Sequence, residues 1–280
     1  MSEALVGGIY LSKARKKGFT MGVSEDIKQL RTWIQECPKG GMVFFGGAGV
    51  STESGIPDFR SSNGLFMKDY QIPPEQIVSH TFFELHPAEF YDFYFNHMIF
   101  SDAQPNQAHK KLAQLEQEGI VSAVVTQNVD GLHQKAGSKK VFELHGSSLK
   151  NYCDACKKPF GFDEFMALRQ EALIRETKST NPYDPLNGVP RCPECGGIVR
   201  PDVVLYEEGL NQEVLQGAIK AISGADLLVV AGTSLVVYPA AGLLQFFKGS
   251  HLAIVNLQPT AADRQADLCI AAKVGEVFNF

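Results

Sequence analysis

Short apolar runs recur along the chain, and within each run hydrophobic residues follow one another instead of alternating with polar ones. The runs are Met42–Phe45, Ser122–Thr126, Val141–Leu144, Leu227–Ala231 and Leu252–Asn256. A continuous apolar run predicts a strand that is covered on both faces, as in a parallel sheet flanked by helices. We therefore expect these runs to form the strands of a parallel sheet.

Three stretches outside these runs carry apolar residues at helical spacing. The first begins near Ser24, a residue type that caps helices well, and places Leu30 and Ile34 on one face. The others cover Asn106–Glu118 and Asn211–Ile222. The alternation of strands and helices predicts a doubly wound, Rossmann-like α/β core with helices on both faces of the sheet.

Two segments interrupt this alternation, and a third precedes it. Residues from about 60 to 105 are rich in aromatic side chains, and we interpret them as a helical insert with an aromatic core. Residues from about 150 to 201 show little strand-like hydrophobicity, so a metal ion is a reasonable means of stabilising them. We expect residues 1–22 to be an N-terminal extension and residues 23–280 to form a single domain.

The composition is that of a globular protein and narrows its possible partners. The 280 residues are 44% hydrophobic and 20% charged, with a formal net charge of −5. The negative charge argues against nucleic acid as the main partner, while basic partners such as lysine-rich tails remain compatible. No apolar run approaches the ~20 residues of a membrane helix, and the basic residues Lys13–Lys17 follow the apolar patch Ala4–Leu11 instead of preceding it. We therefore expect a cytoplasmic protein with no membrane partner.

Four of the six cysteines fall in two Cys-x-x-Cys pairs, Cys153 with Cys156 and Cys192 with Cys195. Two such turns facing each other supply four thiolates in a tetrahedron, which leaves no open position for water. The pattern predicts one structural zinc ion, and the alternative is two unrelated redox pairs. The remaining cysteines, Cys37 and Cys269, are expected to be buried small apolar residues.

A glycine-rich turn directly follows the first apolar run. Residues Gly46–Ser51 let the backbone approach a pyrophosphate closely, although such a turn after a strand also occurs as a simple tight turn. The turn differs from the dehydrogenase fingerprint, because Thr52 replaces the third glycine and Pro57 interrupts the helix that should follow. No second strand ends in an acidic residue ~20 positions later, where a ribose-binding carboxylate is expected. These differences argue against a hydride-transfer enzyme.

Several longer motifs follow one another along the chain. They are Gly47–Arg60, Pro105–His109, Thr126–His133, Leu144–Gly146, Gly232–Ser234 and Val255–Leu257. Together they resemble, in order, the motifs of the sirtuins, the NAD-dependent protein deacylases, and the cysteine pairs fall where that family holds zinc. The resemblance covers about residues 24–280. It implies a catalytic domain that uses NAD as co-substrate and acts on acylated lysine side chains of proteins or peptides.

The resemblance implies a set of NAD-binding residues. Ala48 and Thr52 would line the pyrophosphate path, and Gln127 would hold the nicotinamide ribose. Asn128 and Asp130 would bind the nicotinamide carboxamide. The full implied set is Ala48, Gly49, Ser51, Thr52, Asp58, Phe59, Arg60, Gln127, Asn128, Val129, Asp130, His145, Gly232, Thr233, Ser234, Asn256, Leu257 and Val274.

The resemblance also implies two catalytic residues, His145 and Asn128. The acyl oxygen of the modified lysine would attack C1′ of the nicotinamide ribose and expel nicotinamide, while the ring of Phe59 shields that carbon from water. His145 would then act as general base on a ribose hydroxyl, because an imidazole with an ordinary pKa of ~6.5 is largely neutral at pH 7. The products would be lysine and O-acyl-ADP-ribose. The other histidines are expected either to be structural or solvated (His80, His86, His97, His251) or to orient neighbouring groups (His109, His133).

The peptide substrate would bind between the lobes as an added strand. It would lie between Val203–Tyr206 and Leu235–Tyr238, and the enzyme would read mainly its backbone. Where many family members have Phe-Gly-Glu, this chain has Tyr206-Glu207-Glu208. The carboxylate of Glu207 would either favour basic residues beside the acyl-lysine or face solvent.

The acyl pocket is the other place where this chain can be compared with family subgroups. Members that remove succinyl or malonyl groups carry Tyr-x-x-Arg on the helical insert, and the corresponding stretch here, Tyr91–Tyr94, has no arginine. Without that cation a buried acidic acyl tail is an unpaired charge, which is costly. We therefore expect acetyl and longer apolar acyl groups to be preferred over succinyl and malonyl.

Two other functions remain as alternatives. A sirtuin-type ADP-ribosyltransferase would pass the ribose to a protein side chain, but such enzymes often lack the catalytic histidine, which is present here as His145. A catalytically silent NAD- or zinc-binding scaffold would not require Asn128, Asp130 and His145 together. NAD-dependent deacylation is therefore the favoured interpretation.

Overall fold

The computed structural model describes residues 22–59, 64–65, 71–178, 184 and 186–280. Residues 1–21, nearly all of the predicted N-terminal extension, lie outside this part of the chain. Arg60, from the implied NAD-binding set, also lies outside the described residues.

The described residues form a large parallel sheet, a small antiparallel sheet and the helices around them. The strands are β1 (Met42–Gly46), β2 (Val121–Thr126), β3 (Val141–Glu143), β4 (Gly146–Cys153), β5 (Pro159–Gly161), β6 (Val199–Val203), β7 (Leu227–Ala231), β8 (His251–Val255) and β9 (Leu268–Ile270). The helices are α1 (Val23–Glu36), α2 (Pro74–Ile77), α3 (His80–Leu85), α4 (Pro87–His97), α5 (Gln107–Gln117), α6 (Leu132–Ala136), α7 (Phe162–Thr177), α8 (Gln212–Ser223) and α9 (Val274–Val277). Among them, no helix is both long and apolar enough to cross a bilayer.

The large sheet confirms the predicted fold class. Its six strands are parallel and lie in the order β3-β2-β1-β7-β8-β9. All five strands predicted from the apolar runs are present, with each end within one residue of its predicted position. The edge strand β9 was not predicted from the sequence.

The helix predictions are confirmed, with one correction at a helix start. Asn106 and Asn211 are the N-caps of α5 and α8, and each side chain accepts hydrogen bonds from the first turn of its helix. Ser24 is not the N-cap of α1, because the helix begins one residue earlier and Gly22 is its N-cap. The carbonyl oxygen of Gly22 accepts from the amides of the first turn without any side-chain cap.

Helices cover both faces of the large sheet, and this explains why most residues of its strands are apolar. Alternate residues of β1 serve two cores: Phe44 packs in a cluster with α1, α5 and α9, and Phe45 packs in a cluster with α8 and residues 240–246. Both side chains are fully buried. Burying each contributes roughly 1.5–3 kcal/mol.

The strand order in the large sheet reverses between the neighbouring parallel strands β1 and β7. From this pair, β2 and β3 extend to one side and β8 and β9 to the other, so a crevice opens at the carboxyl ends of β1 and β7. The loops that follow the two strands touch there, because Gly49 N donates to Gly232 O (2.8 Å). A Cβ on Gly49 would lie 2.7 Å from the Cα of Gly232, whose φ is +60°. Glycine is required at both positions for this close approach.

The second, smaller lobe consists of α2–α4, α7 and the antiparallel sheet β5-β4-β6. Residues 150–201, which show little strand-like hydrophobicity, nevertheless contain β5, the long helix α7, the end of β4 and the start of β6. These elements share one hydrophobic core with the helical insert, in which Tyr91, Tyr94 and Phe165 are fully buried. The insert supplies the apolar surface that residues 150–201 lack by themselves.

Candidate active site

The glycine loop after β1 forms two consecutive 3-10 turns, Ala48–Val50 and Thr52–Ser54, instead of the start of a long helix. Ser51 connects the turns and is only 1% exposed. Ala48 and Gly49 are partly buried and Thr52 is exposed, with its hydroxyl donating to Gly49 O (3.0 Å). The loop therefore lies over the crevice with Ser51 directed into the protein.

Two contacts not predicted from the sequence hold this loop in place. Asn106 Nδ2 donates to Val50 O (2.7 Å) and to Ser54 Oγ (3.0 Å), which fixes the start of α5 to the loop. Glu53 accepts a hydrogen bond from Gly275 N (2.7 Å) at α9. The second contact brings the predicted residue Val274, which is buried, to the same region.

A chain of polar side chains connects the loops after β1 and β2. Ser51 Oγ donates to Asp130 Oδ2 (2.6 Å) and accepts from Asn128 Nδ2 (3.1 Å). Asp130 Oδ1 accepts from Leu132 N (2.9 Å) at the start of α6. Asn128 N donates to Thr126 Oγ1 (3.0 Å) at the end of β2. Each member of the chain is therefore fixed by at least two partners, as expected for groups that hold a substrate in one orientation.

His145 follows β3 and is held by the loop after β2. Its Nδ1 lies 3.0 Å from the carbonyl oxygen of Gln127. Because a carbonyl can only accept, Nδ1 carries the proton in the neutral ring and Nε2 has the free lone pair. Burial lowers the pKa of His145, and the hydrogen bond to Gln127 partly opposes this shift. The imidazole is therefore neutral at pH 7 and suited to accept a proton.

The loops after β7 and β8 supply the rest of the predicted set. Gln127 Nε2 donates to Thr233 Oγ1 (3.0 Å), which joins the loop after β2 to the loop after β7. Ser234 is exposed beside Thr233. Asn256 follows β8, with its Nδ2 donating to Gln258 O (2.7 Å), and Leu257 is 60% exposed. Apart from Val274 of α9, the predicted residues that the structure describes thus follow the carboxyl ends of five parallel strands, β1, β2, β3, β7 and β8.

Two predicted residues lie at the border between the crevice and the small lobe. Phe59 and Val129 both pack, partly buried, against the shared core of that lobe. Val129 O also accepts from the amide and the hydroxyl of Ser148 (2.9 and 2.7 Å). Asp58 O accepts from Leu65 N (2.7 Å). The roles implied for these residues toward NAD stay predictions.

The predicted peptide-binding segments border the same crevice. The amide of Val204 donates to the carbonyl oxygen of His145 (2.9 Å), so the first segment begins beside the candidate base. In the second segment, Val236 and Tyr238 are 56% and 76% exposed. The carboxylate of Glu207 contacts Thr81, a partner that neither sequence alternative included.

The four predicted metal ligands are close together. All four Sγ atoms lie within 4.8 Å of one another, with Cys153 and Cys195 3.4 Å apart and Cys156 and Cys192 3.8 Å apart. A tetrahedron with Zn–S bonds of ~2.3 Å has edges of about 3.8 Å, whereas a disulfide requires ~2.05 Å. The geometry therefore fits one zinc ion held by four thiolates.

The prediction for the remaining cysteines is wrong for one of them. Cys37 is partly buried, but Cys269 is exposed. Cys269 is the middle residue of the edge strand β9, and its neighbours Leu268 and Ile270 turn inward. Because side chains alternate along a strand, the thiol faces outward.

Two histidines lie behind the active-site loops, where they were expected to orient neighbouring groups. The rings of His109 and His133 meet at 4.7 Å between centroids, and His109 Nδ1 accepts from Asn106 N (3.3 Å). Burial lowers the pKa of His109 to about 4 and also lowers that of His133. Both rings are therefore neutral at pH 7, and their orienting role stays a prediction. Of the other histidines, His251 stacks on Trp33 at 4.2 Å, in agreement with a structural role.

The structure combines a parallel sheet of the dinucleotide-binding type, a glycine loop where the strand order reverses, and a metal site of four thiolates. These features define a class of zinc-containing, nucleotide-binding α/β proteins. The Sir2 family model matches residues 47–239. The chain belongs to the Sir2 family.

Curated relatives match over nearly the whole chain. An NAD-dependent protein deacetylase of Clostridium acetobutylicum is 51% identical over 257 residues, which are 91% of this chain and 97% of the relative. One from Clostridium perfringens is 52% identical over 260 residues, covering 92% and 98%.

Solved structures match in fold as well. A Sir2 with deacetylated p53 peptide and 3′-O-acetyl ADP-ribose has a TM-score of 0.77 and 40% identity, covering 90% of this chain and 95% of that one. A Sir2 with p53 peptide and NAD+ has a TM-score of 0.74 and 39% identity over the same shares.

Proposed function

We propose that this protein is an NAD-dependent protein-lysine deacylase, with residues 23–280 as its catalytic domain. It converts acyl-lysine, NAD and water to lysine, nicotinamide and O-acyl-ADP-ribose. The observation that carries the proposal is the position of the His145 imidazole, which is held through Nδ1 by the carbonyl oxygen of Gln127, next to the Ser51–Asp130–Asn128 chain. The two Clostridium relatives are named NAD-dependent protein deacetylases, which supports the same activity.

The residues of the crevice divide the work of the reaction. Asn128 and Asp130 orient the nicotinamide end of NAD, and the backbone of the glycine loop follows its pyrophosphate. The acyl oxygen of the substrate lysine forms a bond to C1′ of the ribose as the bond to nicotinamide breaks. His145 Nε2 then accepts the proton of a ribose hydroxyl, whose oxygen attacks the acyl carbon. The bond from that carbon to the lysine nitrogen breaks, and the nitrogen takes up the proton and leaves as lysine. Water adds to the same carbon as its bond to the oxygen on C1′ breaks, so the acyl group stays on the attacking ribose oxygen. Phe59, at the border of the small lobe, excludes water from C1′.

Zinc has a structural role in this proposal. The ligands Cys153, Cys156, Cys192 and Cys195 complete its coordination and leave no position for substrate. The ion stabilises the small lobe. A cytoplasmic location is part of the proposal, because metal-ligating thiolates persist in a reducing compartment.

The test is a set of acetyl-lysine peptides incubated with the protein in the presence and absence of NAD. We expect nicotinamide release that requires both peptide and NAD, and mass spectrometry should detect O-acetyl-ADP-ribose as the second product. His145→Ala should abolish product formation while circular dichroism and zinc content stay at wild-type values.

Two results would contradict the proposal. Radiolabel from NAD appearing on protein instead of in a small molecule would indicate an ADP-ribosyltransferase. Full activity in the His145→Ala variant would exclude the proposed base.

A further inference from the structure

The segment 204–208, which leaves β6 and forms part of the predicted peptide-binding position, is fixed at both ends. At its start, Val204 N donates to His145 O (2.9 Å). At its end, Glu208 accepts two hydrogen bonds from Arg200 (2.8 and 3.0 Å), and the Arg200 side chain is only 6% exposed. The backbone conformation between these two ends, at residues 205–207, therefore depends on the contacts that those residues make.

Glu207 lies between these ends in a backbone conformation that its side chain disfavours. Its φ is +77°, in the left-handed region that glycine adopts readily and residues with a Cβ adopt rarely. Such a conformation persists where surrounding interactions compensate for it. A specific contact of Glu207 is therefore expected.

That contact is made with the first turn of α3. One carboxylate oxygen of Glu207 accepts from both Thr81 N (2.9 Å) and Thr81 Oγ1 (2.7 Å), and these hydrogen bonds lower the pKa of the carboxyl. The preceding residue, Tyr206, accepts from His80 N through its carbonyl oxygen (3.0 Å). Two amides of a helix start, which have no partner within the helix, are thus satisfied by the segment.

We propose that Glu207 is a positioning residue for the acyl-peptide, because its carboxylate joins the segment 204–208 to Thr81 of α3 and so holds the strand edge on which the peptide adds. The inference rests on the proposed function, which identifies the peptide as the ligand of that edge. An edge that is already ordered loses less conformational freedom when a strand pairs with it, so the peptide binds more tightly. The carboxylate acts on the enzyme's own backbone and not on charges of the peptide.

The first test measures steady-state kinetics with acetyl-lysine peptides that have neutral or basic flanking residues. Glu207→Ala should raise the peptide KM about fivefold, the size expected for two exposed hydrogen bonds, with kcat and the KM for NAD within about twofold of wild type. Thr81→Val should change the peptide KM in the same direction, and the double variant should be no worse than Glu207→Ala alone. Glu207→Gln keeps an oxygen that accepts from Thr81, so it should stay near wild type with both peptides. Glu89→Ala, which removes an exposed carboxylate from α4, is the control for net charge.

A second measurement is independent of catalysis. Hydrogen exchange at the Thr81 amide should be faster in Glu207→Ala than in wild type and should stay slow in Glu207→Gln. If the wild-type protein released no nicotinamide with any peptide, the proposed function would fail, and this exchange would still decide whether Glu207 holds the segment.

Three outcomes would overturn the inference. The first is an unchanged peptide KM in Glu207→Ala, and the second is an unchanged rate of hydrogen exchange at the Thr81 amide in that variant. The third is a Glu207→Gln variant whose peptide KM rises as much as that of Glu207→Ala, but only for peptides with basic flanking residues. The last outcome would show that Glu207 acts on the charge of the substrate.

Discussion

Removal of the Ser51 hydroxyl tests whether the polar chain beneath the glycine loop orients NAD. Ser51 Oγ donates to the Asp130 carboxylate at 2.6 Å and accepts from Asn128 Nδ2 at 3.1 Å, in a side chain that is 1% exposed. A hydrogen bond to a charged group contributes ~1.5–3 kcal/mol and one between neutral groups ~0.5–1.5 kcal/mol. We expect Ser51→Ala to lower the free energy of unfolding by about 2 kcal/mol, because the local structure compensates for part of the sum.

Ser51→Ala should also reduce transition-state stabilisation by a similar free energy, because without the hydroxyl the side chains of Asn128 and Asp130 are free to adopt other rotamers. A loss of ~2 kcal/mol in transition-state stabilisation corresponds to about a 30-fold decrease in kcat/KM for NAD, measured from nicotinamide release at saturating peptide. Ser122→Ala is the matched control, since it removes a hydroxyl that donates to Met42 O (3.1 Å) at the opposite end of β2. The control should change kcat/KM by less than about twofold. A Ser51→Ala variant with wild-type kcat/KM would refute this account of the site.

Four further predictions follow from the geometry. Gly49→Ala should destabilise the fold by ~1–3 kcal/mol in urea unfolding, because its Cβ would lie 2.7 Å from Gly232 Cα; a stable, active variant would contradict the close loop contact. Cys192→Ser, or removal of metal by a strong chelator, should lower the melting temperature, and added Zn²⁺ should restore it only in the wild-type protein. Burial lowers the pKa of His145, and the base must be neutral, so the rate should fall only as pH drops below the ordinary value of ~6.5; an acid limb above that pH would be inconsistent with a buried base. Succinyl-lysine peptides should react far more slowly than acetyl-lysine peptides, and equal kcat/KM values would contradict the acyl preference.

Local sequence patterns were sufficient for five of the six strands of the large sheet. Its strands are recognisable because residues such as Phe44 and Phe45 face separate cores, so no polar residue interrupts the run. The caps Asn106 and Asn211 are equally local signals, since each side chain bonds to amides two or three residues away. The Cys-x-x-Cys spacing identified the metal site without any knowledge of the fold.

The small lobe could not be predicted in the same way, because its strands bury polar residues. In β4, Ser147, Ser148 and Asn151 are all buried, and β6 buries Arg200. The partner of Arg200 is Glu208, and Glu207 contacts Thr81, which is 126 positions away in the sequence. Such polar positions become compatible with burial only through tertiary contacts, which a single sequence does not reveal.

The path from the metal to the candidate base shows why a structural zinc ion bears on catalysis in this fold. Strand β4 begins at Gly146, directly after His145, and ends at the metal ligand Cys153. It pairs with β6 near both of its ends, where Gly146 lies opposite Val203 and Cys153 lies opposite Val199, and the register shifts between Ser147 and Asn151. One end of this ladder is thus held by the four thiolates, and the other leads into the base and the peptide-binding segment. Loss of the metal would release the ladder at its far end, so a decrease in activity after chelation would follow from a loss of register and not from any chemistry of the ion.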